Sequence, residues 1–282
     1  MTGMLSKTMR AVFFVIVPLV LAAGPARAQP SPALTVAMKP PAESAMPDGP
    51  LGELVRLGRT IVVDTQRSSV KPYLGNGLNC VSCHLDAGRQ AYAAPLVGLW
   101  GVFPEYRSRT GRVETLTERV NDCFRRSMNG RPLPPESREM TAVLAYIQWL
   151  SFGVPTGIAV DGRGFIDLPP PARTDPARGK TLFAAKCASC HGANGQGTRV
   201  AGGGYAFPPL WGPASFNTGA GMARETIAAA FIMMKMPLGQ AGTLTADEAY
   251  DIAAYVTRQP RPEFAAKKSD WPKGGKPKDV PY

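Results

Sequence analysis

The sequence predicts an all-α protein made of two small helical domains in tandem. Three observations carry this. The run Cys80-Val81-Ser82-Cys83-His84 recurs 107 residues later as Cys187-Ala188-Ser189-Cys190-His191. The text after each copy is similar: Trp100-Gly101, Phe124, Glu139 and Tyr146 return as Trp211-Gly212, Phe231, Glu248 and Tyr255, at offsets of 107 to 111 residues, which is the mark of a duplicated domain. Thirty glycines and 28 prolines in 282 residues favour short helices and long loops over large sheets, while 44% hydrophobic and 19% charged residues exclude a disordered chain.

In chain order, residues 1–28 read as a signal peptide. Lys7 and Arg10 precede an apolar run from Ala11 to Ala23, and Ala26-Arg27-Ala28 offers a small-residue cleavage site. The run contains Pro18 and is too short to span a bilayer. The mature chain is therefore expected to start near Gln29, exported to the periplasm, with no stable membrane insertion. Losing Lys7, Arg10 and Arg27 takes the formal net charge from +11 to +8. A basic surface suits nucleic acid, a membrane or an anionic small substrate, and export argues against nucleic acid.

Residues 29–50 are Pro- and Ala-rich and read as a flexible lead-in. The first domain is placed at 51–155 and the second at 175–260. Between them 156–174, with Pro169-Pro170-Pro171 and no hydrophobic period, reads as a linker. The basic, Pro-rich tail at 261–282 is expected to be solvated.

The repeated C-x-x-C-H run is the signature of c-type haem attachment. Two thiols three positions apart reach the two vinyl groups of a haem, and the next residue, a histidine, swings under the iron. A zinc site would need the two C-x-x-C pairs much closer together, and nothing nearby suggests the βαβ unit of a dithiol redox enzyme. Two covalent haems follow, attached by Cys80 with Cys83 and by Cys187 with Cys190, with His84 and His191 as proximal ligands. Each domain is too small to bury enough apolar surface alone, so the haem supplies much of its core.

Those two histidines are the only ones in the chain. Each sixth position must then be Met, Cys, Lys, another weak ligand, or open. In the second copy Phe231-Ile232-Met233-Met234-Lys235-Met236-Pro237 puts a Met before a helix-ending Pro, as a small cytochrome c does for its distal ligand. Lys235 is ordinarily a surface charge, although a deprotonated amine can compete for iron; Met233 and Met234 read as core filler. Helices are expected from Glu139 to Leu150, with Val143, Ile147 and Leu150 on one stripe, and from Asp247 to Val256.

The first copy differs. Thr115-Leu116-Thr117-Glu118 is a capping box, predicting a helix from Leu116 to Asn129-Gly130. Arg119, Cys123, Arg126 and Ser127 share one face of it. Cys123 is the one cysteine left over, and from Arg107 to Arg138 there are eight arginines and no lysine. A thiol one turn from guanidiniums ionises readily, and planar guanidiniums suit small oxyanions. The pattern reads as an anion site around a reactive sulfur. Two plainer readings stay open: the repeat alone puts Met128 opposite Lys235, making Met128 the natural ligand, and the arginines could pair with the local acids Glu114, Glu118, Asp122 and Glu136.

The run from Cys80 to His84, through Arg119-Val120-Asn121-Asp122-Cys123-Phe124-Arg125-Arg126-Ser127-Met128-Asn129-Gly130 and on to Tyr146-Ile147-Gln148-Trp149-Leu150, resembles the diheme thiosulfate dehydrogenases. These periplasmic cytochromes join two thiosulfates into tetrathionate, some of them in reverse. The resemblance covers roughly residues 51–260. It implies His84 and Cys123 at the active-site haem, and His191 with Met236, or Lys235 in exchange, at an electron-transfer haem. It also implies substrate contacts at Arg119, Ser127 and Arg109, with Arg126 a lesser candidate, and a small cytochrome as electron acceptor. Rival readings are a plain diheme carrier and a haem subunit of a sulfur-oxidising complex. A peroxidase would need a distal histidine the chain lacks.

Overall fold

Two crossings of paired helices organise the chain. The structure, a computed structural model, describes residues 34–201 and 204–282, so the expected signal peptide lies outside the described residues. The first lobe holds β1 (Thr35–Val36), α1 (Gly49–Val63), the short turn α2 (Leu85–Gly88), β2 (Glu105–Arg107), β3 (Arg112–Glu114), α3 (Leu116–Arg126) and α4 (Arg138–Leu150). After β4 (Ala159–Val160) the second lobe adds α5 (Pro176–Lys186), α6 (Ala188–His191), β5 (Thr198–Arg199), β6 (Tyr205–Phe207), α7 (Glu225–Lys235) and α8 (Ala246–Thr257). Among the described residues the strands form only two-stranded ribbons. The expected all-α, tandem architecture is what the chain adopts.

In the first lobe α1 crosses α4, and in the second α5 crosses α8. Both crossings are so close that only glycine fits. A Cβ on Gly58 would sit 2.0 Å from the Ala142 carbonyl oxygen, and one on Gly179 would sit 1.9 Å from that of Asp251. Around the first crossing Val55, Ile61, Val62, Met140, Tyr146, Ile147 and Leu150 are buried together; around the second, Phe183, Trp211, Leu244, Ile252 and Val256.

Helix α3 starts as its sequence demands. The Thr115 hydroxyl accepts from the Glu118 N–H at 3.2 Å, and the Glu118 carboxylate accepts from the Thr115 N–H at 2.8 Å. It ends at Arg126 rather than at Asn129-Gly130. Asn129 turns left-handed at φ 47°, and the Gly130 N–H bonds back to the Phe124 carbonyl. Helix α7 stops at Lys235, with Met236 extended ahead of Pro237.

Two segments depart from their sequence reading. The stretch 156–174 is tied to the first lobe: β4 pairs with β1, and the carbonyls of Gly162 and Gly164 accept from the N–H groups of Tyr92 and Ala94. The tail, expected to be solvated, instead folds back on both lobes and buries Phe264 and Trp271. Its apolar residues are spaced without a period, so composition alone hid their burial. The lobes themselves are stitched by Asn76, which donates to the Ser127 and Ser215 carbonyls, and by Asn217, which donates to the Arg125 carbonyl.

Because the crossings leave no space for a methyl group, Gly58→Ala and Gly179→Ala should each destabilise the haem-loaded protein by about 1–3 kcal/mol. Thermal unfolding followed by circular dichroism measures this.

Candidate active site

Each C-x-x-C-H run faces an apolar cavity. Cys80, Cys83 and His84 line one with Ile61, Leu96, Phe124 and Ile147; Cys187, Cys190 and His191 line another with Phe183, Phe231, Ile252 and Met236. The His84 Nδ1 sits 2.5 Å from the Ala94 carbonyl oxygen and the His191 Nδ1 2.9 Å from that of Pro208. With Nδ1–H donating to a carbonyl, Nε2 is left to bind iron. Burial lowers the pKa of His191 and keeps it in the neutral, ligating form. Attachment thiols, oriented imidazoles and apolar walls fit a c-type haem in each cavity. Cys83 lines both cavities, so the first motif is a wall the two haem sites share.

The fifth cysteine behaves unlike the others. Burial pushes the Cys80 thiol up to about 11 and the Cys83 thiol up to about 12. Burial also acts on Cys123, but the Arg119 charge and the His84 ring outweigh it and bring the thiol down to about 7. The Arg119 guanidinium donates to the Cys123 sulfur at 3.2 Å, and His84 is the sulfur's other hydrogen-bonding neighbour. Met128 lines the same cavity, but is otherwise packed between the lobes with Leu78, Phe216, Ala220 and Ala223.

Outside the apolar cavity lies a polar chamber of about 530 Å³. His84, Leu99, Arg119, Cys123 and Ser127 line both spaces. Cys123 therefore stands in the wall between the two spaces. Six arginines line the chamber, and four are ion-paired: Arg107 and Arg163 share Glu105, Arg224 pairs with Asp279, and Arg126 with Asp122 and Asp270. Arg109 and Arg119 have no carboxylate partner among the described residues. Arg109 is held instead by the Gly219 carbonyl at 2.7 Å and by the face of Trp271.

The comparisons agree with this geometry. Residues 71–156 match the SoxA/TsdA cytochrome c domain family and residues 176–259 the cytochrome c family. The chain is 47% identical to a thiosulfate dehydrogenase of Psychrobacter arcticus, over 86% of this chain and 74% of the relative. It is 47% identical to that of Allochromatium vinosum, over 84% of this chain and 88% of the relative. The chain belongs to the thiosulfate dehydrogenase family. The solved thiosulfate dehydrogenase TsdBA of Marichromatium purpuratum superposes with a TM-score of 0.79 at 44% identity, covering 81% of this chain. This chain spans half the length of that one.

In the second lobe Met236 lines the haem cavity with His191. Lys235, ordinarily a surface charge, is buried, and burial lowers its pKa. No ion pair involves it among the described residues. Sequence reasoning missed Arg163, Arg107 and Arg224 as chamber walls, and Trp271 and Pro277 from the tail. Phe264 and Trp271 in an otherwise basic tail were the available cue. No helix of the described residues is long and apolar enough to cross a membrane.

Arg126 is buried between two carboxylates, at 2.7 Å from each. Arg126→Gln leaves both acids short of a partner, and should cost about 3–5 kcal/mol, read by denaturant unfolding. Arg119→Gln, which breaks no carboxylate pair and loses only the contact to the Cys123 sulfur, should cost less than Arg126→Gln in the same measurement.

Proposed function

We propose that the chain joins two thiosulfates into tetrathionate in the arginine chamber, with Cys123 as the reacting sulfur. The position of that sulfur, between the haem cavity and two unpaired guanidiniums, carries the reading. His84 and Cys123 would hold the first iron, and His191 with Met236 the second; buried Lys235 is the amine able to replace Met236. Each haem when bound accepts one electron, so the pair takes up the two that the coupling releases.

Arg119 keeps Cys123 as a thiolate against the cost of its burial. Arg109 and Arg119 then lay a thiosulfate dianion against it, and the Ser127 hydroxyl at the partition offers a further donor. The outer sulfur of thiosulfate bonds to the Cys123 sulfur as two electrons leave, giving Cys–S–S–SO3⁻. A second thiosulfate attacks the sulfur next to the sulfonate. The bond to Cys123 breaks, the thiolate returns, and tetrathionate departs. The leader at residues 1–28 supports export to the periplasm, where a small acceptor cytochrome would receive the electrons.

Cys123→Ala should lower kcat for thiosulfate oxidation by at least about 10³-fold while both haems stay attached. Electron paramagnetic resonance of the oxidised wild type should show a low-spin thiolate-ligated haem that this variant lacks. A variant that turns over at the wild-type rate would reduce the chain to a two-centre carrier. Arg119→Gln should cost about 10²–10³-fold in kcat/KM, measured by steady-state kinetics.

A further inference from the structure

We propose that the strap formed by residues 261–282 sets thiosulfate affinity, with Asp270 and Trp271 as positioning residues for the arginines of the chamber. This rests on reading the Cys123 chamber as the thiosulfate site. The strap is pinned at both ends to the second lobe. Near its start the Phe264 N–H donates to the Thr218 hydroxyl, and near its end Asp279 pairs with Arg224 and accepts from Thr226. Its middle crosses to the first lobe and closes over the chamber, which Trp271 and Pro277 line.

Two residues of that middle segment, Asp270 and Trp271, land on arginines of the chamber. Asp270 takes Arg126 in a bidentate pair, 2.7 Å at both nitrogens, and the Phe264 ring covers the same guanidinium at 4.1 Å. Trp271 lies under Arg109 at 4.9 Å and donates its N–H to the Arg109 carbonyl at 2.6 Å. Trp271 holds this place with φ at 54°, a conformation a bulky residue adopts only when its surroundings impose it.

The two arginines also compete for one acceptor. Arg109 reaches the Gly219 carbonyl at 2.7 Å, while Arg126 stands 3.5 Å from it. The Asp270 carboxylate holds Arg126 back and leaves that carbonyl to Arg109. Without Asp270, Arg126 keeps its Nε on Asp122, and its freed terminal nitrogens close on the carbonyl it shares with Arg109 and crowd Arg109 at the wall. The strap thus determines which guanidinium is anchored but unpaired, and so which one meets the substrate.

Steady-state kinetics on the haem-loaded full chain test this. Asp270→Asn and Trp271→Ala should raise KM for thiosulfate, lowering kcat/KM by about 10–100-fold, with kcat and both haem spectra near wild type. Asp270→Glu and Trp271→Phe, which keep the charge and the stacking face, should recover most of the loss. A fall in kcat with unchanged KM, or no recovery in the conservative variants, would mark the strap as merely structural and overturn the proposal. If Asp270→Asn does not assemble, the Trp271 pair decides alone. Wild-type KM in the Asn and Ala variants, beside an inactive Cys123→Ala, sinks the strap proposal only. An active Cys123→Ala beside a raised KM sinks the sulfur reading and leaves the strap assignment standing.

Discussion

The contact between the Arg119 guanidinium and the Cys123 sulfur governs the site. Burial alone drives a thiol towards its neutral form, as it does at Cys80 and Cys83. At Cys123 the same burial is overcome by a cation placed one helical turn earlier on α3. The chain therefore contains sulfurs of two kinds within one cavity, neutral thiols suited to covalent attachment and one poised to ionise. What separates them is the Arg119 guanidinium, aided by the His84 ring, and the helix register that delivers the cation. The capping box at Thr115 and Glu118 fixes where that helix begins, and hence which residues face the cavity.

The two lobes share an ancestor's plan and divide its labour. Both bury a glycine-mediated helix crossing beside a haem-attachment run, and the first shares its wall with the arginine chamber. The second keeps an apolar lining and offers Met236. Thiolate ligation lowers a haem's potential and thioether ligation raises it. Were Cys123 to ligate the first haem and Met236 the second, electrons would run from the first towards the second, and Cys83 stands in the wall between the two cavities. The attachment motif is thus both anchor and partition.

Much of this was legible in the residues. The motifs are local, the capping box is local, and the face shared by Arg119, Cys123, Arg126 and Ser127 follows from helix period. Residues acting through long-range contacts were not legible. Nothing near Gly58 or Gly179 announces the carbonyl it must clear, since that carbonyl lies more than seventy residues away. The tail was misread because lysines and prolines dominate its composition, while Phe264, Asp270 and Trp271 do the binding at irregular spacing. Arg126 shared the face of Cys123 in sequence, yet its charge is spent on Asp122 and Asp270. Charge pairing is a tertiary fact, and a count of arginines cannot reveal which of them remain free.

That distinction bears on turnover. In the proposed sequence a thiosulfate dianion beside the Cys123 thiolate becomes the singly charged Cys–S–S–SO3⁻, so the anion site loses two of its three negative charges at the moment of oxidation. A chamber with all six of its arginines unpaired would hold the product as firmly as the substrate, and binding of that kind gains nothing in rate. Pairing four with carboxylates and leaving Arg109 and Arg119 matches the cationic charge to the state before oxidation. The carboxylates of Glu105, Asp122, Asp270 and Asp279, which look out of place in an anion site, are what confine the attraction to the wall beside the sulfur.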